Sequence, residues 1–148
     1  MSENLIIVES PAKARTIQKY LGKGYRVVAS MGHVRDLPKT GLAIDVENNF
    51  TPEYEVTKQK VVNDLRQAIK QADAVYLATD PDREGEAIAW HITQAAGIPK
   101  KQQAKVHRVV FQEITKNAVK SAIDQPRNIN NNLVEAQQAR RILDQIGR

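Results

Sequence analysis

Apolar and polar positions alternate along this chain in blocks that predict strands and helices in turn. Leu5-Ile6-Ile7-Val8 is continuously apolar, the pattern of a strand buried on both faces, and Glu9 follows at its carboxyl end. Ser10-Pro11 then supplies a helix start, with a serine cap and a proline where no amide hydrogen is needed. That helix runs through Tyr20 and stops at Gly22-Lys23-Gly24, and Tyr25 to Ser30 forms a second strand. From Met31 to Val56 glycines and prolines break every pattern, which predicts a long structured loop. Val61, Val62, Leu65, Ala68, Ile69 and Ala72 share one helical face. A strand over Ala74–Ala78 follows, then a helix through Ile88, Ile92 and Ala95 that ends near Gly97. Val106 to Phe111 reads as a fourth strand, and Thr115 caps a helix that Pro126 ends. The Asn128–Asn132 run resembles a linker, and Leu133 to Gly147 has the period of a last helix. Its apolar side is expected at Leu133, Ala136, Leu143 and Ile146, with Gln137, Arg141, Asp144 and Arg148 on another face and Arg140 beside them.

Strands separated by helices predict an α/β fold, a Rossmann-like parallel sheet of about four strands flanked by helices, plus a C-terminal helix. The 148 residues suit one compact domain with a short appendage, divided here as 1–127 and 128–148. Hydrophobic residues at 41% and charged ones at 26% argue against wholesale disorder. A net charge of +5 favours polyanionic partners. The absence of cysteine removes disulfides and thiolate chemistry. No apolar stretch approaches a membrane span and the start lacks signal-peptide character, so a soluble cytoplasmic protein without a membrane partner is expected.

The candidate chemistry sits at strand ends, where parallel sheets bind ligands. Asp80, Asp82, Glu84 and Glu86 crowd the segment after the Ala74–Ala78 run, and such crowding calls for a cation. Pro81 biases Asp80 towards extended backbone, so Asp80 and Asp82 point the same way and can share a hard metal such as Mg2+. An acidic preference at helix starts accounts for Glu84 and Glu86, but not for two aspartates straddling a proline with Glu9 at a separate strand end. Lys13 opposes the dipole of its helix, a conflict that a bound phosphate resolves, although solvated lysines there are common. His33 is either a structural hydrogen-bonding group or a site residue, and no second histidine stands at zinc-ligand spacing. Arginines of the last helix serve either a solvated surface or phosphate contacts.

A glutamate closing one apolar strand and an aspartate-x-aspartate closing another resembles the Toprim signature of topoisomerases, bacterial primases and some nucleases. The segments Leu5–Ala14, Gly32–Pro38, Asp80–His91 and Arg108–Thr115 are similar, in the same order, to bacterial type IA DNA topoisomerase I, and Gln137–Asp144 to the start of that family's next, helical DNA-binding domain. The resemblance implies a Toprim fold and a bacterial, nucleoid-associated isomerase. Such an enzyme relaxes supercoiled DNA by transient single-strand cleavage and religation on single-stranded or underwound DNA. It implies Glu9 as general acid or base, Lys13 at the scissile phosphate, and Glu9, Asp80, Asp82 and Glu84 around magnesium. His33 would line a nucleotide pocket, and Arg108, Arg140, Arg141 and Asp144 would contact or position DNA. The family's nucleophilic tyrosine motif has no counterpart among Tyr20, Tyr25, Tyr54 and Tyr76. The chain is therefore expected to be an amino-terminal part, inactive alone, that partners the remaining topoisomerase domains. The alternative is a stand-alone Toprim module that binds nucleic acid or acts as a metal-dependent nuclease.

Overall fold

A computed structural model describes residues 3–36, 44–45, 51–52, 55–98, 103 and 105–146. At its centre lie β1 (Glu3–Val8), β2 (Tyr25–Ala29), β7 (Ala72–Leu77) and β8 (Val106–Arg108), joined in the order β2-β1-β7-β8. Every pairing in this sheet is parallel. Four helices cover it: α1 (Pro11–Leu21), α2 (Gln59–Gln71), α3 (Arg83–Ala96) and α4 (Lys116–Asp124). The fifth, α5 (Asn131–Ile146), packs against α3. Among the described residues no helix is long and apolar enough to cross a membrane.

The continuous apolar run of β1 has the structural cause that its pattern suggests. Leu5 and Ile7 face one layer, where they meet Val62, Leu65 and Ile69 of α2 and Ile88, Ala89 and Ile92 of α3. Ile6 and Val8 face the other layer, against Ile17 of α1 and Val119, Ala122 and Ile123 of α4. Each of these strand residues is at most 1% exposed. A strand buried on both sides cannot alternate with polar residues.

The expected elements lie close to their predicted bounds, with three informative differences. First, β8 ends at Arg108 rather than Phe111, because the Arg108 N–H and C=O pair with those of Arg127 in an antiparallel bridge. Secondly, the 31–56 stretch carries short strands in its described parts: β3 (Arg35–Asp36) pairs with β6 (Glu55–Val56), and β4 (Ile44–Asp45) with β5 (Thr51–Pro52). Pro38 and Gly41, part of the expected loop, lie outside the described residues.

The third difference is a correction. In α5 the packed face holds Val134, 3% exposed, and Gln137, 6% exposed, whereas Leu143 is 68% exposed. The row containing Gln137 and Arg141 thus turns inward, while Leu143 and Ala136 face out. The cause is the partner surface: α5 meets α3 beside Glu84 and His91, and a polar cleft forms between them. The Asn128–Asn132 run is tethered as well. Asn130 donates its N–H to Glu86 Oε2 at 2.6 Å, and its side chain accepts from the N–H groups of Asn132 and Leu133 to cap α5.

Candidate functional site

Because β1 and β7 are adjacent and parallel, their carboxyl ends deliver Glu9 and Asp80 side by side. Glu9 Oε2 accepts the Asp80 N–H at 2.8 Å. Lys13 lies in the first turn of α1, where the Ser10 hydroxyl caps its N–H and Pro11 opens the helix. Its Nζ stands 2.8 Å from Glu9 Oε1 and 3.0 Å from Asp80 Oδ1, with the ring of Phe111 at 5.4 Å. Lysine in this first turn is therefore answered by two carboxylates. Glu9 Oε1 is buried and receives no hydrogen bond of good direction, so its contact with the ammonium is one of charge.

The other acidic residues take separate positions. Asp82 is the N-cap of α3 and accepts the Gly85 N–H at 2.7 Å. Glu84 turns to His33, whose Nε2 lies 3.1 Å from Glu84 Oε2. Among the described residues no three His, Asp or Glu side chains gather closely enough to hold a metal. The donor chemistry of the residues expected there nevertheless fits a hard cation such as magnesium, since each offers carboxylate oxygens. A cationic group, the Lys13 ammonium, already occupies the space between Glu9 and Asp80.

Backbone requirements shape this edge. Asp80 folds back over the first turn of α3, and a Cβ on Gly85 would collide with the Asp80 backbone. After β2, Met31 and Gly32 adopt φ of 62° and 84°, and the Gly32 N–H donates to the Glu9 carbonyl at 2.8 Å. The Met31 carbonyl accepts from Lys58 Nζ. This turn places His33 edge-on to His91, ring centroids 5.8 Å apart, while Arg35 Nε donates to His91 Nδ1 at 3.1 Å. Arg35 also lies 5.0 Å over the Trp90 ring.

A cleft of about 200 Å3 opens between α3 and α5, lined by His33, Glu84, Gln137, Arg140, Arg141 and Asp144, with His91 behind. The structure thus brings together His33 and the α5 residues expected to meet DNA. Arg108 lies elsewhere. It is fully buried and gives its Nη1 protons to the carbonyls of Leu77, Thr79 and Val109, and Nη2 to that of Asp80 at 2.6 Å. A guanidinium so placed supports the acidic loop from beneath.

Glu86, which its position suggests is ordinary helix-start acidity, is instead buried within the fold. It is 0% exposed and pairs with Arg108 and Arg127. Burial alone pushes its carboxyl up, but the hydrogen bonds from Arg127 and Asn130 and the charge and hydrogen bond of Arg108 outweigh it, holding the group below the usual glutamate range. Burial likewise pulls the Arg108 guanidinium down from its ordinary value, opposed by Glu86. One signal was available: Glu86 precedes Ala89 by one helical turn on the inward stripe of α3, so a partner was required.

A parallel sheet with a glutamate at one strand end and an aspartate-x-aspartate beside it defines a class. The family model of the Toprim domain matches residues 4–114, and the chain belongs to that family. Among solved structures the chain is similar to full-length topoisomerase I from Thermotoga maritima, at 48% identity and a TM-score of 0.85. The match covers 96% of this chain and 24% of that one, so the chain spans about a quarter of its relative's length.

Proposed function

We propose that this chain is the acid-bearing part of a type IA topoisomerase, acting with a separate tyrosine domain to cut and reseal one DNA strand. The observation that carries this reading is the Glu9–Lys13–Asp80 cluster at adjoining strand ends, 2.8 and 3.0 Å across its two ion pairs. Cleavage replaces the phosphorus–oxygen bond to deoxyribose with one to the tyrosine oxygen. As the tyrosine oxygen bonds phosphorus its hydroxyl proton passes to solvent, and the departing deoxyribose oxygen takes a proton from Glu9 once that carboxylate has picked one up from solvent; resealing runs the same transfers in reverse. Lys13, held beside Glu9, offsets the charge of the scissile phosphate. Asp80, Asp82 and Glu84, with Glu9 adjoining, would hold magnesium, which when bound neutralises phosphate oxygens as a Lewis acid. Arg140 and Arg141 at the cleft beside α3 draw the phosphates of single-stranded DNA, with His33 and Asp144 completing the wall. Arg108 positions the Asp80 backbone rather than touching DNA. Residues 128–148 begin the following helical domain on this reading. Tyr20 donates its hydroxyl to the Ile114 carbonyl, remote in role from nucleophilic attack.

The test is reconstitution. Mixed with the tyrosine-bearing domains of a type IA topoisomerase, the chain should restore magnesium-dependent relaxation of supercoiled plasmid, and Asp80→Ala with Asp82→Ala should abolish it. Full activity in the double variant would contradict the reading. Incubated alone with magnesium and single-stranded DNA, the chain should leave the DNA intact; hydrolysed products without attached protein would favour a nuclease.

A further inference from the structure

The proposed chemistry makes no use of Glu86, yet no carboxylate in the described structure is more completely enclosed by cations and N–H groups. Its Oε1 accepts from Arg108 Nε at 3.1 Å and Arg127 Nη2 at 2.9 Å. Its Oε2 accepts from Arg127 Nη1 at 3.1 Å and the Asn130 N–H at 2.6 Å. Each contact leads onward. Through Arg108 the carboxylate reaches the carbonyls of Thr79 and Asp80, the backbone of the acidic loop. Through Asn130 it reaches the cap of α5, the helix that carries Arg140 and Arg141. Two surfaces on different elements are therefore pinned by one buried side chain.

We propose that Glu86 is a positioning residue that fixes the acidic loop and the start of α5 in one register, so that Asp80 and the α5 arginines engage the same nucleic-acid strand. This rests on the nucleic-acid reading above and assigns it a residue that touches neither metal nor DNA. Glutamine at this position would keep the volume but exchange one acceptor oxygen for a donor. Either the Arg108 side or the Asn130 side of the network would then face a donor with no acceptor.

The sign of the expected effect separates positioning from plain electrostatics. Removing a negative charge should tighten binding of a polyanion if charge alone mattered. Positioning predicts the opposite. The experiment measures fluorescence anisotropy of a labelled, mixed-sequence single-stranded oligonucleotide with the full chain, wild type and Glu86→Gln, across a salt series in magnesium. Circular dichroism verifies that both are folded at the temperature used. We expect Glu86→Gln to weaken binding about tenfold and to flatten the slope of log K against log salt by about one phosphate contact. A merely smaller folded fraction would lower K equally at every salt concentration and leave the slope unchanged. Should Glu86→Gln fail to fold, Arg127→Lys carries the test, because it keeps the charge and loses the two-pronged contact; it should shift slope and affinity in the same direction by less. Equal or tighter binding with an unchanged slope in a folded variant would overturn the proposal. Absence of binding by the wild type would instead refute the nucleic-acid reading, and the positioning role with it.

Discussion

Two charged clusters flank the end of β7, and they are built on opposite principles. In one, Lys13 lies between Glu9 and Asp80, and the Asp80 side chain is 59% exposed. In the other, Glu86 and Arg108 are both 0% exposed, and the carboxylate and guanidinium are surrounded by directed hydrogen bonds. The sealed cluster satisfies its charges internally and has nothing left to offer a ligand. The open cluster leaves Glu9 Oε1 without a directed donor and Asp80 facing solvent, so its charges are incompletely answered within the chain. Charge density alone does not mark a site. On the proposed function, unfinished satisfaction at an accessible edge does.

Mutations should separate the two clusters by stability. Glu86→Ala strands Arg108 in the interior, and removing one partner of a buried pair costs about 3–5 kcal/mol; urea denaturation checks this. Gly85→Ala drives a Cβ into the Asp80 backbone, and overpacking of this kind costs about 1–3 kcal/mol or more. That variant tests the seam between the clusters, since it should also displace Asp80 and reduce magnesium-dependent relaxation in the reconstituted enzyme.

Acid should weaken the sealed cluster. The folded Glu86 carboxyl lies below its reference value of 4.5. Its contribution to stability is therefore complete above pH 4.5 and is lost as pH falls through the lower folded value. Thermal unfolding of the wild type should weaken through that window, and Glu86→Gln should lack this part of the decline. Ser10→Ala removes the cap of α1 at a cost of about 1 kcal/mol. The smallest expected change is Asp80→Asn, within about 1 kcal/mol of wild type because its ion pair is largely exposed. Small loss of stability joined to total loss of relaxation would sharpen the contrast most.

Much of the architecture was readable in the residue pattern. Apolar runs such as Leu5–Val8 announce strands buried on both faces, and Ser10-Pro11 announces the start of α1. The meeting of Glu9 with Asp80 followed from two strand ends that topology makes neighbours. What stayed hidden depends on pairing across the fold. Arg108 reads as a basic residue within the expected Val106–Phe111 strand, with a DNA role from resemblance, and only the arrangement of β8 beneath the acidic loop turns it inward. Glu86 looked like helix-start acidity because its partners lie twenty and more residues downstream. The inward face of α5 was misread because its packing surface on α3 is polar, so hydrophobic period pointed to the wrong side.

The proposed function depends on Glu9 and Asp80 sharing a site for a divalent ion at the joined ends of β1 and β7. Paramagnetic line broadening by substoichiometric Mn2+, followed in amide NMR spectra of the full chain, tests it most directly. The account predicts selective loss of the Glu9, Asp80 and Asp82 signals, reversed by excess Mg2+. Uniform weak broadening, or loss centred on a different part of the chain, would contradict it.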